Sequence, residues 1–154
     1  MRLFLITTTT IGFAAAALMA TSALAVQDTP TNINGVDTVC TGVGSAKDDP
    51  RWKGYPVKIV LATTGGADLA NAHISLAKGG QTLVETDCDA PWVLFKAPAG
   101  QYTATATLIG GSGQSHSASF STSGSGQKEV TITFKANSGP PSVSDTRPAA
   151  SANP

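Results

Sequence analysis

The sequence predicts an all-β fold, a seven-stranded antiparallel sandwich of two sheets. Three observations predict it. Seven short segments alternate apolar and polar residues with a period of two, the repeat of a half-buried strand. Gly-rich turns separate them at intervals of roughly a dozen residues, a spacing suited to sandwiches. Only 13% of the 154 residues are charged. Small hydroxylated and β-branched residues are frequent instead, and they favour strands over helices.

The first strand is expected over 56–63. Val57, Ile59 and Leu61 form one face, while Val60 and Ala62 make the other apolar as well, so it is read as covered on both sides. Gly65-Gly66 ends it. The second strand spans 72–78, with Ile74 and Leu76 inward. Gly79-Gly80 is a two-residue hairpin turn, and the third strand follows over 81–86. Residues 89–108 hold the next pair. Val93, Phe95 and Ala97 alternate before a Pro98-Ala99-Gly100 turn; Tyr102, Ala104, Ala106 and Leu108 alternate after it. Over 114–122, His116, Ala118 and Phe120 oppose a row of serines. A serine face needs water, which reads as an edge strand. The last strand, 128–135, sets Val130, Ile132 and Phe134 against Glu129, Thr131, Thr133 and Lys135. Each large inward side chain contributes about 1.5–3 kcal/mol on full burial.

The flanks read differently. Residues 1–25 have the layout of a signal peptide: Arg2, an apolar centre, and the small-x-small site Ala23-Leu24-Ala25, with cleavage expected before Val26. Export to the periplasm or outside the cell follows, with no membrane span left after cleavage. Residues 26–55 are expected to be irregular, with turns at Asn34-Gly35, Gly42-Val43-Gly44 and Asp48-Asp49-Pro50. Asp49 before Pro50 can cap a short helical turn at Arg51-Trp52. The sandwich domain is placed at 56–135. Residues 136–154 form a Pro/Ser/Ala-rich tail, too poor in apolar groups to offset its ordering entropy.

Two cysteines remain after the leader, Cys40 and Cys88. An exported chain with an even count favours a bridge between them, which is expected to tie the irregular segment 26–55 to the strand end at Asp87-Cys88-Asp89. Two reduced thiols and a metal site are the alternatives. The latter is disfavoured because two isolated cysteines without nearby histidines make no tetrahedral set.

Residues 95–106, from Phe95-Lys96-Ala97-Pro98-Ala99-Gly100-Gln101-Tyr102 to Ala106, resemble the strand–Pro-x-Gly-x-Tyr–strand signature of carboxypeptidase regulatory-like domains. These are small sandwiches of the prealbumin-like, or transthyretin, type. Val39-Cys40-Thr41-Gly42-Val43-Gly44, Tyr55-Pro56-Val57 and Cys88-Asp89-Ala90-Pro91-Trp92 resemble exported bacterial proteins carrying that domain. The resemblance spans about residues 39–135 and departs at Ala97, where the family often has Leu. It implies a fold and not a peptidase activity.

The residue inventory offers little chemistry. His73 and His116 are the only histidines. On neighbouring strands and one face they could form a metal pair, but no three-ligand set such as His-Glu-x-x-His exists. Gly111-Ser112-Gly113 and Gly124-Ser125-Gly126 lack the nucleophile-elbow pattern and read as turns. Transthyretin-like ureide hydrolases use a His-rich, Arg-containing site and a C-terminal motif, both missing here. Asp48, Asp49, Asp87 and Asp89 could approach across the bridge and hold calcium, though capping and solvation explain them more simply. No cofactor is implied. The chain is formally neutral, and about −1 without Arg2, so it carries no long-range attraction for nucleic acid.

What remains is a non-catalytic exported module, with a protein-interaction or structural role in the bacterial envelope. The alternative is a carbohydrate-binding module using exposed aromatics. Trp52, Tyr55 and Trp92 are the candidate contact residues, with Trp52 the least constrained of them; Tyr102 is assigned to the core. The partner is an envelope protein or a glycan.

Overall fold

A computed structural model describes residues 27–110 and 113–136. The expected leader, residues 1–25, lies outside them, as does the tail beyond Ala136. Within the described residues nine strands form two sheets, and the only helical pieces are 3-10 turns at Gly44–Asp48 and Pro50–Gly54. No helix among them is long and apolar enough to cross a membrane.

The strands are β1 (Thr31–Ile33), β2 (Val36–Thr41), β3 (Val57–Thr63), β4 (Ala72–Lys78), β5 (Gln81–Cys88), β6 (Trp92–Phe95), β7 (Gly100–Leu108), β8 (Ser115–Thr122) and β9 (Lys128–Phe134). One sheet runs β1-β2-β6-β3-β9, the other β5-β4-β7-β8. The two-sheet, all-β expectation holds, with nine strands in place of seven.

Two corrections follow. The stretch 26–55 is not irregular throughout, because it supplies β1 and β2. Asn34 and Gly35 take positive φ, 49° and 86°, and fold these strands into a hairpin. β2 then pairs with β6 inside the larger sheet. The sheets are also not wholly antiparallel: β3 and β9 run parallel over Val57↔Lys128 to Thr63↔Phe134. Parallel neighbours need a long crossover, and the whole of the four-stranded sheet lies within it.

β6 and β7 do not form a hairpin. The Pro98-Ala99 connection carries the chain from one sheet to the other, and the Tyr102 hydroxyl donates to Pro98 O at 2.7 Å to hold that corner. Inward residues of both sheets make one core, including Ile59, Leu61, Ile74, Leu76, Val93, Phe95, Tyr102 and Phe134. Tyr102 lies in it as expected, 2% exposed.

Cys40 on β2 and Cys88 at the end of β5 are disulfide-bonded, with Cα atoms 5.7 Å apart. The bridge therefore staples the two sheets. It does not tether a loose segment. Both residues lie in the core, at 0% and 1% exposure.

Gly42 follows β2 with φ +98°, and a Cβ there would sit 2.6 Å from Trp92 Cγ. Gly42→Ala is therefore expected to cost about 1–3 kcal/mol, from backbone strain together with overpacking. A urea midpoint unchanged from the parent would contradict this.

Candidate functional site

Three surfaces hold the residues singled out by sequence. The first lies on the outer face of the five-stranded sheet. Val39 on β2 and Leu94 on β6 point away from the main core and would meet water if left bare. The 3-10 turn Pro50–Gly54 covers them, and Val39, Leu94, Trp52 and Tyr55 make a second apolar cluster. Asp49 caps that turn by accepting from Arg51 N at 2.9 Å, as its position before Pro50 predicts.

Burial corrects the aromatic platform. Trp52 and Tyr55 are each only 4% exposed. They meet edge to face at 6.0 Å, and Trp52 Nε1 donates to Ala46 O at 2.7 Å. Gln127 Nε2 donates to the carbonyls of Trp52 and Tyr55, locking the turn to the segment that leads into β9. Trp92 is half-buried, and the Lys58 ammonium sits 3.4 Å from its ring centroid. Lys58 also pairs with Glu129 at 2.9 Å. A cleft of about 280 Å³ joins Trp52 and Trp92, but a cation already occupies the indole face that a sugar ring would need.

Burial raises the Tyr55 phenol above its ordinary 10.0, and the nearby charge of Asp37 adds to this. The fold favours the neutral phenol. Its contribution is intact below pH 10 and is lost as pH climbs from there through the raised folded value. The urea midpoint should fall more steeply above about pH 10 in the parent than in Tyr55→Phe. Equal slopes would remove Tyr55 as the cause.

The second surface is the outer face of the four-stranded sheet. His73 Nδ1 lies 2.7 Å from Asp87 Oδ1 there, a carboxylate partner that the sequence reading missed. The two histidines are not a metal pair. His73 lies opposite Thr107 and His116 opposite Ala106, consecutive residues of β7, so they project to opposite faces. His116 packs edge-on against Phe134 at 5.0 Å. Three of the four aspartates are likewise engaged separately: Asp49 with Arg51, Asp87 with His73, and Asp89 through its carbonyl with Gln27. Among the described residues no three His, Cys, Asp or Glu side chains are grouped to hold a metal ion.

Beside His73, hydroxyls form cross-strand pairs: Thr103–Ser119 at 3.0 Å, Thr105–Ser117 at 2.7 Å and Thr107–Ser115 at 2.9 Å. Each pair satisfies its members locally, so the serine row faces solvent as the alternation predicts.

The third surface is the edge of that sheet, β8. It bonds to β7 in unbroken register from Gly100↔Thr122 to Thr107↔Ser115, and its other edge has no strand partner in the sheet. The remaining edges are guarded. β1 is three residues long. β5 carries Glu85 and Asp87 and a bulge opposite Leu76 and Ala77, where Asn34 Nδ2 donates to Leu83 O at 3.0 Å. β9 carries Lys128 and Glu129. β8, Ser-His-Ser-Ala-Ser-Phe-Ser-Thr, has no Lys, Arg, Asp, Glu, proline or bulge.

The class that fold and surfaces define is an all-β, two-sheet sandwich whose sheets are joined by a disulfide. No family model matches the chain, and no curated protein matches it. Among solved structures, 5-hydroxyisourate hydrolase from Klebsiella pneumoniae aligns over 57% of this chain and 89% of its own. The identity is 16% and the TM-score 0.38, a likeness that defines neither family nor activity.

Proposed function

We propose that this chain is a non-catalytic, exported β-sandwich module of the bacterial envelope that binds a partner protein by strand addition at β8. The observation that carries this reading is the open edge. Eight residues of regular strand offer backbone donors and acceptors with none of the charges, prolines or bulges that protect natural edges. The buried bridge between Cys40 and Cys88 supports an oxidising, extracytoplasmic location. Separation of His73 from His116 supports a non-catalytic role. The glycan alternative loses two of its three aromatics, Trp52 and Tyr55, to the core.

A photo-crosslinking side chain in place of Ser117 on β8, compared with one in place of Glu85 on β5, tests this in intact cells. The expected result is a covalent adduct with an envelope protein from the β8 position, lost on Ser119→Pro, because the Ser119 N–H points away from β7 and onto the open edge. Equal labelling from both edges, or none from β8, would overturn it.

A further inference from the structure

We infer that the partner fitting this edge is a second copy of the chain, with two β8 strands pairing antiparallel about a two-fold axis through Ala118. The inference rests on the reading of β8 as the recruiting edge and adds the identity of the strand it recruits.

Residues directly opposite in an antiparallel pair share a face, so a symmetric pair must centre on a single residue. Centring on Ala118 sets Ser117 against Ser119 and Ser115 against Ser121 on the outer face. On the inner face it sets His116 against Phe120 and leaves the smallest side chain on the axis. Hydroxyl meets hydroxyl, ring meets ring, and the backbones approach closely where Ala118 meets itself. Centring on Ser119 uses as many residues but opposes Phe120 to Ala118 and His116 to Thr122, separating the rings. Centring on Ser117 pairs fewer residues.

Electrostatics agree. A self-pairing edge brings every charge near its own copy, and any lysine or glutamate on it is repelled. β8 alone among the four edge strands of eight residues or fewer combines full length with no formal charge at neutral His. The outer face is already built for this contact. The Thr–Ser pairs between β7 and β8 would continue as Ser–Ser pairs across the axis, making one hydroxyl-lined sheet from both copies. On the inner side, half-buried Ala118 and Val130 and exposed His116 leave apolar surface along the β8–β9 seam, which the second copy would cover.

The test is the solution mass of the mature protein by analytical ultracentrifugation across a wide concentration series. A two-fold mass that dissociates on dilution is expected. Ser117→Lys/Ser119→Lys should be monomeric, because each introduced lysine faces one from the other copy. Ser117→Glu/Ser119→Glu should also be monomeric, and an equal mixture of the two variants should regain the doubled mass. Both positions are exposed, and a single cooperative unfolding transition with a parent-like far-ultraviolet circular dichroism spectrum in each variant checks that the fold is kept. A parent that stays monomeric, a lysine variant that stays dimeric, or a mixture that fails to reassociate would each overturn the inference. A monomeric parent whose β8 still crosslinks to another envelope protein would overturn self-pairing and leave strand addition standing.

Discussion

Cys40→Ala/Cys88→Ala is expected to lower the unfolding free energy by about 4 kcal/mol, from the chain entropy released when a loop this long is opened. The two residues are 48 apart in sequence. The loop they close contains β3, β4 and β5, so cutting it frees strands of both sheets in the unfolded ensemble. The folded side loses little by comparison. The alanines keep apolar atoms at positions 0% and 1% exposed, and β2 and β5 stay held by β6 and β4. For a domain of this size the melting temperature should fall by roughly 15–30 °C. Denaturant titrations of the parent with and without reductant, and of the double variant, would check it. A loss below about 1 kcal/mol would mean the unfolded chain is already compact around this loop.

The same bridge shows how far sequence reaches. Periodicity placed β4, β7, β8 and β9 and the inward sides of Ile74, Phe120 and Ile132, because one face of each strand is wet and the other dry; β3, with no exposed residue, is marked instead by an apolar run between turns. β2 escaped notice for the opposite reason. Val39 and Cys40 are both buried, since one face meets the core and the other lies under the Trp52 turn, so alternation is erased. The legible signal is Asn34-Gly35, a strong two-residue hairpin pair that marks a turn without showing how long its flanking strands are. Val39 and Leu94, apolar on outward faces, were the hint that something must cover them. Trp52 and Tyr55 provide that cover.

The parallel β3–β9 pairing was beyond local pattern, because two alternating strands far apart in sequence do not state their direction. The His73–Asp87 contact was hidden by one residue. Counting outward from Gly79-Gly80 with Lys78 opposite Gln81 would place Thr86 opposite His73. The bulge near Leu83 shifts the register and brings Asp87 there instead. In a strand one step exchanges inside for outside, so a single unseen bulge decides which side chain a histidine meets.

Phe95→Ala should destabilise the protein by about 3–5 kcal/mol, toward the upper end of that range. Phe95 is fully buried on β6, the central strand of the five-stranded sheet, directly opposite Thr38 of β2 and Val57 of β3. Hydrogen-bonded ladders on both sides fix those neighbours, and the facing sheet is tied across by the Cys40–Cys88 bridge. The space left by the ring therefore cannot collapse, and the cavity cost adds to the lost burial. Phe120→Ala offers a control. Phe120 stands at 9% exposure on β8, which is bonded on one side only within the chain, so at concentrations where the protein is monomeric the strand can shift, water can enter and its loss should cost less. Urea unfolding of both variants gives the comparison. Equal losses, or a smaller loss at Phe95, would show that the larger sheet repacks freely around its centre and that the two ladders do not hold it.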